Sequence, residues 1–177
     1  MNKIFAILFV FTTFNVSAGP DIFNEESSDS LVEEKSTIEN LEEQLDHAES
    51  LATPEGLTVL QTSRSMIAGG EVVVGSCWDF VNAIFDRAGF PPNSRLTAHK
   101  GRYAGPFADN KAIQPGDWLY FINHSYGDVE HSGIFIGWID ENYTKALVSS
   151  YAGGNKPVPG RYRIYDLSQV FNIVRGK

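Results

Sequence analysis

A single cysteine, Cys77, stands in a chain of 177 residues. One thiol cannot build an internal disulfide framework, and a CxxC redox centre or a multi-cysteine metal site is excluded with it. Long apolar runs are also lacking. The run from Ile4 to Phe14 has 11 residues, short of the roughly 20 that a membrane-spanning helix needs. It follows Met1-Asn2-Lys3 and precedes Val16-Ser17-Ala18 and Gly19, the three-part layout of a secretory signal. The expectation is therefore a signal peptide over residues 1–18, an exported protein, periplasmic or secreted, and no stable membrane span after cleavage. No glycine-rich phosphate loop and no paired-histidine motif occurs, so neither a cofactor nor a metal is expected.

Basic residues are in short supply overall, giving a net charge of −8, but the imbalance is local. Between residues 21 and 50 lie 11 of the 22 acids and one base, Lys35, whereas Leu51 to Lys177 hold 11 acids and 12 bases. That second stretch is nearly neutral and has no basic stripe of the kind that binds nucleic acid. Residues 19–55 carry too little apolar content to fold alone and read as an acidic linker or pro-segment. Within it Ile38, Leu41, Leu45 and Ala48 recur at helical spacing, with Ser36 or Thr37 able to cap the start. This short helix is either a solvated spacer or a segment that docks on the domain and covers its cleft.

Residues 56–177 make one domain of ordinary size. Leu57, Val59 and Leu60 begin a helix or strand that leads to a Gly69-Gly70 turn. From Cys77 onward Val81, Ile84, Phe85 and Ala88 share one helical face, and Gly89 with Pro91-Pro92 ends the helix. Gln114-Pro115-Gly116-Asp117 is a turn before the aromatic strand Trp118 to Phe121. A polar loop leads to the strand beginning at His131. Asp140 to Asn142 turn the chain into Ala146 to Tyr151, and Arg161 to Tyr165 form a further strand.

The lone thiol is either a small buried hydrophobe, one half of an intermolecular disulfide, or a nucleophile. Its placement favours the last. A helix N-terminus presents unpaired N–H groups and the positive end of the dipole, which favour a thiolate and could also receive the oxyanion of a tetrahedral intermediate. A histidine must then lie within reach. Of four, His47 lies in the acidic segment, His99 and His124 in polar loops. His131 heads a strand rooted by Gly133 and the apolar residues after it, and is the expected base.

Gly69-Gly70, Cys77 opening an apolar helix that ends in Ala88-Gly89, Gln114-Pro115-Gly116-Asp117 before an aromatic strand, and His131-Ser132-Gly133-Ile134-Phe135-Ile136-Gly137 follow one another in an order that resembles the NlpC-type cell-wall cysteine peptidases. The resemblance spans residues 62 to 152. The CHAP amidases share the Cys-then-His order and are the nearest rival. The resemblance implies an α+β, papain-like core with N-terminal helices on a small antiparallel sheet. It implies amide cleavage in peptidoglycan stem peptides without metal, with Cys77 as nucleophile and His131 as base. The family's third polar residue, which orients the histidine, falls near Val148-Ser149-Ser150, and Ser149 is the candidate. Two family features are replaced: Ser76 stands where an aspartate commonly precedes the cysteine, and Met66 where a tyrosine assists the oxyanion.

Tyr103 and Tyr151, in loops, are expected to line a substrate groove, whereas Trp78, Trp118, Tyr120, Phe121 and Trp138 sit on elements that must pack. Asp117 reads as a turn-fixing residue, and Glu71 and Asp79 as structural. The expected activity is an exported cysteine hydrolase acting on peptidoglycan peptides. The alternatives are a catalytically weak domain that binds wall peptides or a protein partner, and a hydrolase or acyltransferase of another amide or ester.

Overall fold

A computed structural model describes residues 40–154 and 158–177. The signal-like segment and most of the acidic segment lie outside the described residues, as do Ile38 and the capping candidates Ser36 and Thr37. Three helices come first: α1 over residues 40–51, α2 over Pro54–Ala68 and α3 over Cys77–Arg87. Six strands follow: β1 Arg95–Lys100, β2 Trp118–Asn123, β3 Val129–Trp138, β4 Lys145–Ser150, β5 Arg161–Asp166 and β6 Val170–Gly176. They form one sheet in the order β1-β6-β2-β3-β4-β5, antiparallel throughout. The class is α+β. Among the described residues no helix is long and apolar enough to cross a membrane.

Alternation of side chains divides the sheet into two apolar faces. On the helical face, Trp118 of β2, Ile134 and Ile136 of β3 and Leu147 of β4 meet Phe80, Val81, Ile84 and Phe85 of α3 and Val59, Leu60 and Met66 of α2. The i, i+1, i+4, i+5 spacing in α3 is what turns these four side chains to one side of the helix. On the opposite face Leu119, Phe121, Phe135, Val148, Tyr165 and Ile173 pack with Ile113, Leu167 and Val170.

Helix ends are set by local chemistry. Thr53 caps α2, its Oγ1 accepting from the N–H of Gly56, with Pro54 at the first helical position, where its missing N–H is no loss. The Pro115–Gly116 turn comes so close to this helix start that a Cβ on Gly116, at φ +90°, would stand 2.5 Å from Gly56 Cα. Asp117 closes the turn, accepting from the N–H of Gln114 at 2.8 Å and from Arg175 Nε at 2.6 Å and Nη2 at 2.9 Å. Burial pushes its carboxyl up while Arg175 pulls it down. Arg95 clips the outer strand β1 to α3: it donates to Asn82 and Asp86 and lies over the rings of Phe85 and Trp118.

The helix expected inside the acidic segment is α1, and it docks. Leu45 and Ala48 are buried in the helical-face core, and Arg64 of α2 reaches Asp46 at 2.7 Å and Glu49 at 3.1 Å. With Ile113, Phe135, Trp138 and Leu147, α1 walls a cleft of about 280 Å³ whose lining does not include Cys77. Leu45→Ala removes a buried side chain and should cost about 2–3 kcal/mol, read as a lowered urea midpoint with unchanged slope. An unchanged midpoint would mean that α1 contributes nothing to the fold.

Candidate active site

Cys77 is the first residue of α3. Ser76 precedes it as the cap, and Asp79 reaches back to accept from the Ser76 N–H at 2.7 Å and the Ser76 hydroxyl at 2.8 Å. These bonds hold Asp79 below the usual carboxylate range and tie the helix start to the loop before it. The chain after β4 packs on the same loop. Gly154 N–H donates to Gly75 O at 3.0 Å, and Gly153, at φ +69°, lies so close that a Cβ there would be 2.7 Å from Ser76 Cα and 3.1 Å from Cys77 N.

The departure of that chain from the sheet gives the thiol its place. Ser150 is the last β4 residue in register, opposite Gly133. Phe135 N–H donates to Asp117 O on the β2 side of β3, and amide directions alternate along a strand, so the N–H of Ser132 points to the β4 side. There β4 has already ended, and the sulfur of Cys77 stands in its stead, against the main-chain N–H groups of Ser132, Trp78 and Cys77 itself. Ser132 is the residue directly after His131, so the thiol stands one residue along β3 from the imidazole, and among the described residues no hydrogen bond joins the two side chains.

His131 pairs with Phe121 in the β2–β3 register and lies on the face away from the helices. Its ring is 5.4 Å from both the Phe121 and the Tyr165 rings, and Nε2 is 3.3 Å from Tyr165 Oη. Tyr165 is in turn 3.0 Å from Ser150 Oγ. Burial, with the positive charge of Arg163, lowers the imidazole from the ordinary 6.5 to about 4. Burial likewise pushes the Cys77 thiol above its ordinary range, the three N–H groups opposing it and the Asp79 charge adding to it. Desolvation thus outweighs the helix terminus, contrary to the expectation of a thiolate favoured at rest. At neutral pH the resting pair is thiol and neutral imidazole.

Three expected site residues lie elsewhere. Ser149 pairs with Ile134 and faces the helices, where its hydroxyl meets Ser63 at 2.7 Å in full burial; it does not contact His131. Tyr151 is no groove residue: it stacks on Phe80 at 4.8 Å and 9° and donates to Val73 O at 2.6 Å, supporting the loop that carries Cys77 from below. Tyr103 is 46 % exposed and donates to Asp128 O; it borders an open cleft with Phe107, Ile122 and His124 that contains neither Cys77 nor His131. The other described histidines are placed apart from the thiol: His99 Nε2 is 3.1 Å from Pro106 O and His124 Nδ1 is 2.7 Å from Asp128, while His47 lines the α1 cleft.

The residue whose hydroxyl does meet His131 is Tyr165, which the sequence pattern marks only as part of a strand. Trp78, expected in the core, is 44 % exposed and donates to Tyr120 Oη at 2.9 Å. Among the described residues no group of three or more His, Cys, Asp or Glu side chains could hold a metal ion. No family model, no curated protein and no solved structure matches the chain.

Two measurements separate site from scaffold. Ser149→Ala strands the buried Ser63 hydroxyl and should cost about 1–3 kcal/mol, yet leave the alkylation rate of Cys77 unchanged; a slowed rate would return Ser149 to the site. The His131 ring should titrate near 4 by NMR. Since the unfolded imidazole takes its proton near 6.5, the unfolded state binds more protons between these values. The stability held above 6.5 is therefore lost as pH falls toward 4, and His131→Gln should flatten that slope.

Proposed function

We propose that this chain is an exported cysteine hydrolase that cleaves amide bonds, with peptidoglycan stem peptides as its substrate class, on a papain-like core of the NlpC type. One observation carries the reading: the sulfur at the head of α3 lies against the N–H of Ser132, one residue from an imidazole whose far nitrogen is already engaged. The order of motifs around Cys77 and His131 supports the substrate class, and the signal-like pattern of residues 1–18 supports export.

With both groups neutral at rest, proton transfer accompanies attack. His131 takes the thiol proton as the sulfur bonds to the amide carbonyl carbon, and the carbonyl π electrons move onto oxygen. The N–H groups of Cys77 and Trp78, which have no helical carbonyl partner in the first turn and lie against the sulfur at rest, are the donors available to that oxyanion. Collapse breaks the C–N bond and the imidazolium gives its proton to the leaving amine. Water, deprotonated by His131, then displaces the thiol from the acyl-enzyme. The depressed imidazole keeps the base free far into the acid range, and the raised thiol makes the pair slower to ionise than a preformed ion pair.

That neutral pair also favours a second reading, a catalytically weak domain that retains the scaffold and binds wall peptides. Incubation with purified peptidoglycan fragments and mass mapping of the products separates the two. Release by the wild type that falls by about 10³-fold or more in Cys77→Ala, with an acid limb of kcat/KM near 4 rather than 6.5, is the expected result. Equal release by both proteins would sink the nucleophile, and fragment binding without turnover would establish the second reading.

A further inference from the structure

A neutral imidazole has two tautomers, and only the one with its lone pair toward the thiol can act as a base. Which is present depends on what the other nitrogen bonds to. In His131 the nitrogen bonded through Cγ, Nδ1, lies nearest the backbone, and the sulfur stands at that backbone, at the Ser132 N–H. Nε2 projects away, 3.3 Å from Tyr165 Oη. The phenol and the imidazole are packed in place: Tyr165 is 8 % exposed, its ring edge-on to Phe121 at 5.2 Å. Beyond it the buried Ser150 hydroxyl, 3.0 Å away, can take the phenol hydrogen.

We propose that Tyr165 is the positioning residue of His131, its phenol oxygen accepting the Nε2 proton and so presenting the Nδ1 lone pair to Cys77. The use of that lone pair rests on the hydrolase reading; the tautomer does not. The direction of the chain, Nε2–H to Tyr165 Oη and Tyr165 O–H to Ser150 Oγ, is the one that survives proton transfer. An imidazolium carries hydrogen on both nitrogens, so Nε2 must donate in that state, and with this arrangement no hydroxyl turns during the cycle. The groups against the ring are Phe121 from β2 and Tyr165 and the cationic Arg163 from β5; Ser150 of β4 stands behind the Tyr165 hydroxyl, and the sulfur of Cys77 stands at the Ser132 N–H. None is a carboxylate, so the phenol orients the ring without adding charge. That is consistent with an imidazole kept neutral at rest.

Long-range 1H–15N correlation of the histidine rings at pH 7, with His131 assigned by the signal lost in His131→Gln, tests this directly. The wild type should show hydrogen on Nε2; hydrogen on Nδ1 would overturn the proposal even if no variant folds. Tyr165→Phe keeps the packed ring and should give a mixture of tautomers, slow Cys77 alkylation, and lower kcat by about 10- to 100-fold, the size of effect known for metal-bound histidines that lose the partner of their second nitrogen, with KM little changed. An unchanged tautomer and unchanged alkylation in that variant would also overturn it. A shifted tautomer in a protein whose wild type cuts no wall fragment would retain the positioning role and sink the hydrolase reading. Turnover with an unshifted tautomer would do the reverse.

Discussion

The site depends on where β4 stops. Had the ladder continued past Ser150, the Ser132 N–H would have paired with a carbonyl of the next β4 residue and no room would remain for sulfur. Instead residues 151–154 leave the sheet: Tyr151 turns under the Cys77 loop to stack on Phe80, and Gly153 lies against Ser76 and Cys77. The strand end, the helix start and the imidazole are thus three parts of one arrangement. The close approach at Gly153 is what a side chain would spoil, and the left-handed φ there disfavours one as well.

Desolvation governs the electrostatics. The helix terminus and three N–H groups favour a thiolate, yet burial prevails, and at His131 burial and Arg163 act together. The site therefore stores no ion pair. It holds two neutral partners, and on the proposed hydrolase reading charge separates only when a carbonyl arrives for the first-turn N–H groups of α3 to stabilise.

Much of this was legible in the sequence. The apolar spacing of Val81, Ile84 and Phe85 marked α3 and put Cys77 at its head, and the aromatic run Trp118 to Phe121, the run from His131 and the alternation of Arg161 to Tyr165 marked strands that form. Two outer strands went unread. β1 leaves Leu96 49 % exposed, so it shows no buried period, and β6 follows the loop without a strong turn signal. Ser149 failed as the histidine's partner because a face assignment rests on register: one step along β4 exchanges Ser149, against the helices, for Ser150, on the side of His131. Tyr151 failed because a tyrosine just past a strand reads the same whether its ring is wet or stacked. Tyr165 could not be found at all from spacing, since its approach to His131 spans β3, β4 and β5, three strands joined only in space.

Arg163 has a second duty. Among the described strands β5 is the outermost on its side of the sheet, and an unpaired strand edge is a template for another chain to add to. Arg161 and Arg163 set two exposed cations along it, with Asp166 as its one exposed carboxylate, and charged side chains on an edge disfavour pairing with an apolar strand. The guanidinium that adds to burial in keeping His131 unprotonated thus also sets positive charge on this free edge. A change at this position would alter proton affinity and colloidal behaviour together.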